Sequence, residues 1–208
     1  MSIEAAPTLV TLVRHGETAA NVGAVWHGSI DTVLTERGRR QASYLAEHIA
    51  RTRADASALY ASPLTRARDT AEPIAARLGL STRLEPDLRE YHLGDWEGVS
   101  YATLARDHRL FERMQEEPDW QPGGGESARQ VAERLARSLL AIASRHPGER
   151  VIVVSHGGAL TLGLGWLLDG SLSAWRRVMS NCAVSDLRFD PAPSLLVWND
   201  VAHLDSLG

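Results

Sequence analysis

Leu9-Val10-Thr11-Leu12-Val13-Arg14-His15-Gly16-Glu17-Thr18 decides the fold, together with Val151-Ile152-Val153-Val154-Ser155-His156-Gly157-Gly158. Each begins as a short apolar run rich in β-branched residues and ends on a histidine followed by glycine. Such runs read as strands buried on both faces, the kind found inside a parallel sheet. In an open α/β sheet, ligands bind just beyond the carboxyl ends of the strands. Two histidines delivered to that edge, about 140 residues apart, imply one site built from both ends of the sequence. Histidine can attack as a nucleophile, carry a proton or bind a metal.

The segments between alternate in period. Thr35 can cap a helix from Arg37 to Arg51, with Ala42, Leu45, Ala46 and Ile49 on one face. Ala58 to Ala61 is a second strand. Ser62-Pro63 reads as a cap plus a proline at the first helical position, and Gly79 closes that helix. Leu84 belongs to a short strand, Glu90 to Gly98 to an ordered loop, and Tyr101 to Met114 to a helix. Pro122 to Gly125 is a turn. Ser127 opens a longer helix, with Val131, Leu135, Leu139 and Ile142 inward, that stops before Pro147-Gly148. Val184 to Phe189 and Leu195 to Trp198 close the sheet. No repeat or linker divides the chain. The expectation is a single α/β domain over residues 1–208, its motif-bearing core spanning 8–200. Its form is a three-layer α/β/α sandwich around a mostly parallel central sheet with one antiparallel strand.

Composition narrows the chemistry. The chain has 208 residues, 44% of them hydrophobic, and a net charge of −4. No broad cationic surface points to nucleic acid or anionic lipid. All 22 basic residues are arginine, so a Schiff-base lysine and a lysine-bearing phosphate loop are excluded. The lone Cys182 excludes an intramolecular disulfide and a cysteine-rich metal site, and fits a reducing cytoplasm. The amino-terminal residues show no basic-then-apolar signal pattern. Val151 to Leu168 is nearly long enough to span a bilayer, but its glycine break makes it strand, turn and buried helix. The expected partner is therefore a small molecule in the cytoplasm, not nucleic acid or membrane; a homodimer is compatible with this reading.

The polar residues around the two histidines favour an anion. Arg14 offers a planar fork suited to phosphate or carboxylate. Arg66 falls in the first turn of its helix, where a cation gains nothing from the dipole unless an anion sits between them. No His-x-x-x-His pair, cysteine cluster or carboxylate in ligand spacing accompanies either histidine, so no metal is expected. A carboxylate beside this pocket would supply general acid–base catalysis. Spacing alone leaves Glu90, Asp95 and Glu97 as equal candidates.

Five motifs in order then resemble one family. Arg14-His15-Gly16-Glu17-Thr18, Ser62-Pro63 with Arg66-Ala67, Leu88-Arg89-Glu90 with Gly94-Asp95-Trp96-Glu97-Gly98, Gly124-Gly125-Glu126-Ser127, and Ser155-His156-Gly157-Gly158 are similar to the phosphoglycerate mutase-like branch of the histidine phosphatase superfamily. They cover about residues 9 to 160. The resemblance implies that His15 is the nucleophile that becomes phosphohistidine. Arg14, Arg66 and His156 would form the phosphate pocket, and Glu90 would be the proton donor. Asn21, Thr18, His27, Gly28 and Gly157 would contact substrate, with no cofactor. Asp95 and Glu97 then read as solvated loop charges. Trp26-His27-Gly28 departs from the glutamine-glycine common in relatives. Trp26, His27, Tyr91, His92 and residues 119–126 are expected at the pocket mouth.

Phosphoryl transfer suits such a site, because charge spreads over the equatorial oxygens and fixed cations do most of the work. His15 must be neutral to attack, so its second ring nitrogen needs an acceptor, such as the Gly16 carbonyl. The resemblance covers phosphatases and mutases. Only about 65 residues separate Glu90 from His156. Mutases resemble longer chains with extra sequence there to exclude water, which a hydrolase does not need. The expected activity is metal-independent phosphomonoester hydrolysis. Phosphoglycerate mutase is the alternative, and a non-catalytic phosphate-binding regulator a weaker one. The run Tyr91-His92-Leu93-Gly94-Asp95-Trp96-Glu97-Gly98, with the late Val197-Trp198-Asn199, is also similar to actinobacterial phosphatases of glucosyl- or mannosyl-3-phosphoglycerate.

Overall fold

The computed structural model describes residues 6–172, 178–190 and 192–207. Six strands form one sheet: β1 (Thr8–Arg14), β2 (Ala56–Ala61), β3 (Thr82–Leu84), β4 (Arg150–Ser155), β5 (Val184–Asp190) and β6 (Ala192–Asp200), in the spatial order β3-β2-β4-β1-β5-β6. β3, β2, β4 and β1 run parallel, and β5 is antiparallel to both of its neighbours. The mostly parallel sheet with one reversed strand is thus as the sequence predicts.

Each central strand feeds two cores by alternation, as a strand buried on both faces must. Val10 and Leu12, Ala58 and Tyr60, and Val151 and Val153 face one layer; Val13, Leu59 and Ala61, and Ile152 and Val154 face the other. The first layer holds α6 (Ala128–Arg145) and α7 (Gly157–Asp169); the second holds α2 (Glu36–Thr52) and α3 (Thr65–Leu78). The amphipathic helices have side-chain caps where the sequence offers them. Thr35 accepts from Gly38 N, and Ser127 forms a capping box with Gln130. α7 is apolar all round and correspondingly buried over Gly157 to Gly165. Among the described residues, no helix is long and apolar enough to cross a membrane.

Two elements depart from expectation. Ser62 does not cap α3: the helix starts at Thr65, with Leu64 at the cap position. The missing cap arrives from a distant loop, where Asp31 accepts from Thr65 N at 2.8 Å and from its hydroxyl at 2.7 Å. The helix expected over 101–114 is two, α4 (Tyr101–Arg106) and α5 (Leu110–Glu116). Arg109 between them sits at φ +48°, which breaks the helical path.

Candidate active site

The register between β1 and β4 builds the site. Val13 lies beside Val154 and Arg14 beside Ser155, so His15 and His156 leave the sheet side by side. His15 N donates to Ser155 O at 3.0 Å. The two imidazole centroids are 5.1 Å apart. His15 Nδ1 bonds Gly16 O at 2.8 Å. A carbonyl only accepts, so Nδ1 carries the proton and Nε2 keeps its lone pair. Burial, then the Arg66 and Arg14 guanidiniums, hold the His15 pKa well below the ordinary imidazole value, so the ring is neutral.

His156 is likewise buried and driven toward neutrality by desolvation and then by Arg66. Its Nδ1 accepts from Arg66 Nε at 3.2 Å, and its Nε2 donates to Ser62 Oγ at 2.7 Å. Both ring nitrogens are therefore engaged in the arrangement described. Ser62 is the residue the cap reading misplaced, because its hydroxyl is taken up by His156.

Arg66 reaches over the loop at residues 27–31. Its Nη1 donates to Ile30 O at 3.0 Å and its Nη2 to Gly28 O at 2.7 Å. Arg14 Nη1 donates to Met179 O at 2.5 Å, while its buried Nε has no partner among the described residues. Thr18 caps α1 (Ala19–Val22), and both its backbone N and hydroxyl donate to Asn21 Oδ1, at 3.0 and 3.1 Å. Asn21 Oδ1 also accepts from Asn181 Nδ2 at 3.1 Å. With its oxygen so occupied, Asn21 has its amide NH₂ left as the group to offer a ligand.

Glu90 is held at the start of α7. Its carboxylate accepts from Tyr91 N at 2.8 Å, Gly158 N at 3.0 Å and Ala159 N at 2.7 Å. Gly158 leaves room for the carboxylate, and Gly157 leaves room for Arg14. A Cβ on Gly158 would lie 2.7 Å from Glu90 Oε1, and one on Gly157 3.1 Å from Arg14 Nε. Arg134 braces the loop from behind through the carbonyls of Asp87, Arg89 and Glu90 and the Glu126 carboxylate.

These residues surround two adjoining spaces. A recess is lined by Arg14, His15, Thr18, Asn21, His27, Gly28, Arg66 and Glu90, and a cavity of about 380 Å³ opens beside it between Arg14, Trp26, Glu90, Tyr101, Phe111, Gly157 and Val178. His156 lies behind the recess, in contact with Arg66 and His15. Three buried polar atoms without a partner among the described residues belong to residues of the recess: Arg14 Nε, His27 Nδ1 and Thr32 Oγ1. An oxygen-rich anion would satisfy cationic and hydroxyl donors placed this way. The described residues hold no group of three or more His, Cys, Asp or Glu arranged for a metal ion.

Several expectations need correction. Tyr91 is fully buried, not at the pocket mouth, and its backbone carbonyl accepts from Trp26 Nε1 at 3.1 Å. Residues 119–126 do not line either space: Asp119 pairs with Arg129, Trp120 packs on Trp96 and Arg113, and Glu126 pairs with Arg134. Glu97 is no solvated charge, since its side chain is only 6% exposed and fully engaged. Asp95 is exposed, as read. The sequence reading missed Asn181, whose amide bridges His15 O and Asn21, and the lining residues Tyr101, Phe111 and Val178. No local pattern marks them, because each reaches the site from a separate element.

Comparison with known proteins places the chain in a family. The pattern of the histidine phosphatase superfamily (branch 1) matches residues 10–201. The chain is 37% identical to a metal-independent phosphoserine phosphatase of Arabidopsis thaliana, over all of this chain and 88% of that one. It is 36% identical to glucosyl-3-phosphoglycerate phosphatase of Mycobacterium tuberculosis, over 95% of this chain and 96% of that one. A solved phosphoserine phosphatase of Entamoeba histolytica, in complex with 3-phosphoglyceric acid, superposes with a TM-score of 0.85 at 27% identity, over 95% of this chain and 99% of that one. The chain belongs to branch 1 of the histidine phosphatase superfamily and is a phosphatase.

Proposed function

We propose that the protein hydrolyses the phosphomonoester of a small metabolite, without a metal, through a phosphohistidine on His15. The observation that carries this reading is the His15 ring, its Nδ1 bonded to Gly16 O, in one recess with Arg14 and Arg66. In the first step Nε2 attacks phosphorus and the bond from phosphorus to the leaving oxygen breaks. Glu90 gives that oxygen a proton. In the second step water attacks phosphohistidine, Glu90 takes the water's proton, and phosphate leaves with His15 restored. Arg14, Arg66 and the Asn21 amide hold the equatorial oxygens, where charge gathers. Two displacements at nitrogen replace one very slow hydrolysis.

Thr18, His27 and Gly28 shape the recess around the phosphoryl group, and Gly157 lines the cavity beside it. His156 acts through Arg66, whose Nε it accepts. The leaving group would occupy the cavity beside Trp26, Tyr101 and Phe111.

The test is to incubate wild type and His15→Ala with ³²P-labelled substrate and quench rapidly. Wild type should carry acid-labile, base-stable label and release phosphate with EDTA present; His15→Ala should do neither. Label or full turnover in the variant overturns the nucleophile, and loss of wild-type activity in EDTA overturns metal independence. Return of the phosphoryl group to a second hydroxyl instead of to water would make the activity a mutase.

A further inference from the structure

Glu97 is a buried carboxylate that the reaction does not use. Its oxygens accept from Ser29 N at 2.7 Å, Ser29 Oγ at 2.9 Å, Ile30 N at 3.2 Å and His92 Nδ1 at 2.8 Å. Three of these four donors belong to the loop at residues 27–31. That loop in turn supplies the two carbonyls, Gly28 O and Ile30 O, that fix the terminal nitrogens of Arg66. The backbone is built to admit the carboxylate: Gly28 sits at φ +46°, and a Cβ there would lie 2.1 Å from Glu97 Oε1. Any side chain at 28 would therefore expel Glu97.

Arg66 has five N–H groups. One goes to His156, one to Ile30 and one to Gly28. One remains on each terminal nitrogen, and the aim of that pair is set by where the two carbonyls stand. A guanidinium on a long side chain has many rotamers, and its grip on an anion depends on how few are left to it. The same loop carries His27 and leads into Thr32, two of the three recess residues whose buried polar atoms lack a partner among the described residues.

We propose that Glu97 is a positioning residue for the phosphoryl site: it anchors the loop at 27–31 and thereby aims Arg66 at the anion. The proposal rests on Arg66 gripping the phosphoryl group, as in the function proposed above. Glu97 touches no reacting atom. Its effect travels along Glu97 to the Ser29 and Ile30 amides, through the Gly28 and Ile30 carbonyls, to the guanidinium.

A double-mutant cycle reads this directly. Wild type, Glu97→Gln, Arg66→Ala and the double variant are compared for the Kd of inorganic phosphate by calorimetry and for kcat and KM on p-nitrophenyl phosphate, with melting curves as a control. Glu97→Gln should weaken phosphate binding about tenfold, since an amide cannot accept from all four donors. In the Arg66→Ala background the same change should alter Kd by less than about twofold, because the group it aims is gone. Independent, multiplying losses in the double variant would overturn the proposal, as would wild-type phosphate affinity in Glu97→Gln. If Glu97→Gln does not fold, Glu97→Asp, which keeps the charge but shortens the reach, enters the same cycle with the same outcomes. Failure of the nucleophile reading would appear separately, as full turnover in His15→Ala, and would leave the cycle on phosphate binding intact.

Discussion

The imidazoles of His15 and His156 lie 5.1 Å apart and inclined by 59°, yet their hydrogen bonds differ in kind. His15 gives one proton to a backbone carbonyl, which leaves Nε2 its lone pair. His156 accepts from Arg66 and donates to Ser62, so it is tied down at both nitrogens. Neighbouring strands deliver both rings, and only the partners beyond the strands separate the proposed nucleophile from its proposed support.

Glu90→Gln should hurt poor leaving groups most. The amide still accepts from backbone N–H groups but has no proton to give the leaving oxygen. Turnover of an alkyl phosphate should fall about 10²–10³-fold, and that of p-nitrophenyl phosphate by clearly less, since nitrophenolate leaves without help. Steady-state kinetics on both esters checks this; equal losses would remove Glu90 from the acid role.

Gly158→Ala should damage catalysis more than stability. Its methyl would meet Glu90 Oε1 at 2.7 Å and the Trp26 ring at 3.1 Å. The carboxylate must shift, and misplacement by about 1 Å at a reacting centre is worth roughly 10²-fold in rate. kcat on an alkyl phosphate should fall on that order while the melting temperature moves by only a few degrees.

Acid should destabilise the fold earlier than carboxylate protonation alone would. The pKa values of His15, His156, His48 and His203 are all lowered from 6.5, each first by burial, and that of His203 is pushed down to about 4. Below about pH 6.5 the unfolded chain takes up protons at these rings while the folded chain does not. Stability is therefore full above the unfolded value and declines as pH drops toward the folded ones. Melting temperature should be flat from about pH 7 to 8 and fall between about 6.5 and 4, with a smaller fall in His203→Asn. For the same reason kcat/KM should show no His15 inflection near 6.5.

Asp186→Ala should destabilise the fold without touching its chemistry. Asp186 accepts from Arg53 Nη2 at 2.8 Å and from Thr11 Oγ1 at 2.6 Å, and both ionised side chains are about nine-tenths buried. Removing the anion leaves Arg53 charged in the interior, which costs about 3 kcal/mol or more. Urea denaturation should register that loss. kcat well below the melting temperature should stay within about twofold, since Asp186 pairs with Thr11 on β1, four residues before His15.

Much of this was legible in the sequence because it lies in local patterns. The apolar runs before His15 and His156 foretold β1 and β4, and the caps at Thr35 and Ser127 foretold α2 and α6. What escaped was settled by partners far along the chain. Ser62 resembles a helix cap until His156, 94 positions away, takes its hydroxyl. Glu97 resembles a surface charge until Ser29, 68 positions earlier, folds against it. Asn181 carries no signal of its own, since its worth lies in meeting His15 and Asn21 across 160 residues or more.

The place of β1 between β4 and β5 bears on how the chain is made. β1 emerges first, yet one of its edges waits for residue 150 and the other for residue 184. At about 5–20 residues per second, that leaves a bare apolar strand on the ribosome for roughly ten to thirty seconds. No shorter nascent chain can assemble the proposed phosphate site, because both histidines and both arginines converge only after β4 slots in. Activity should therefore appear in one step late in synthesis, and chaperone demand should fall in the interval before it.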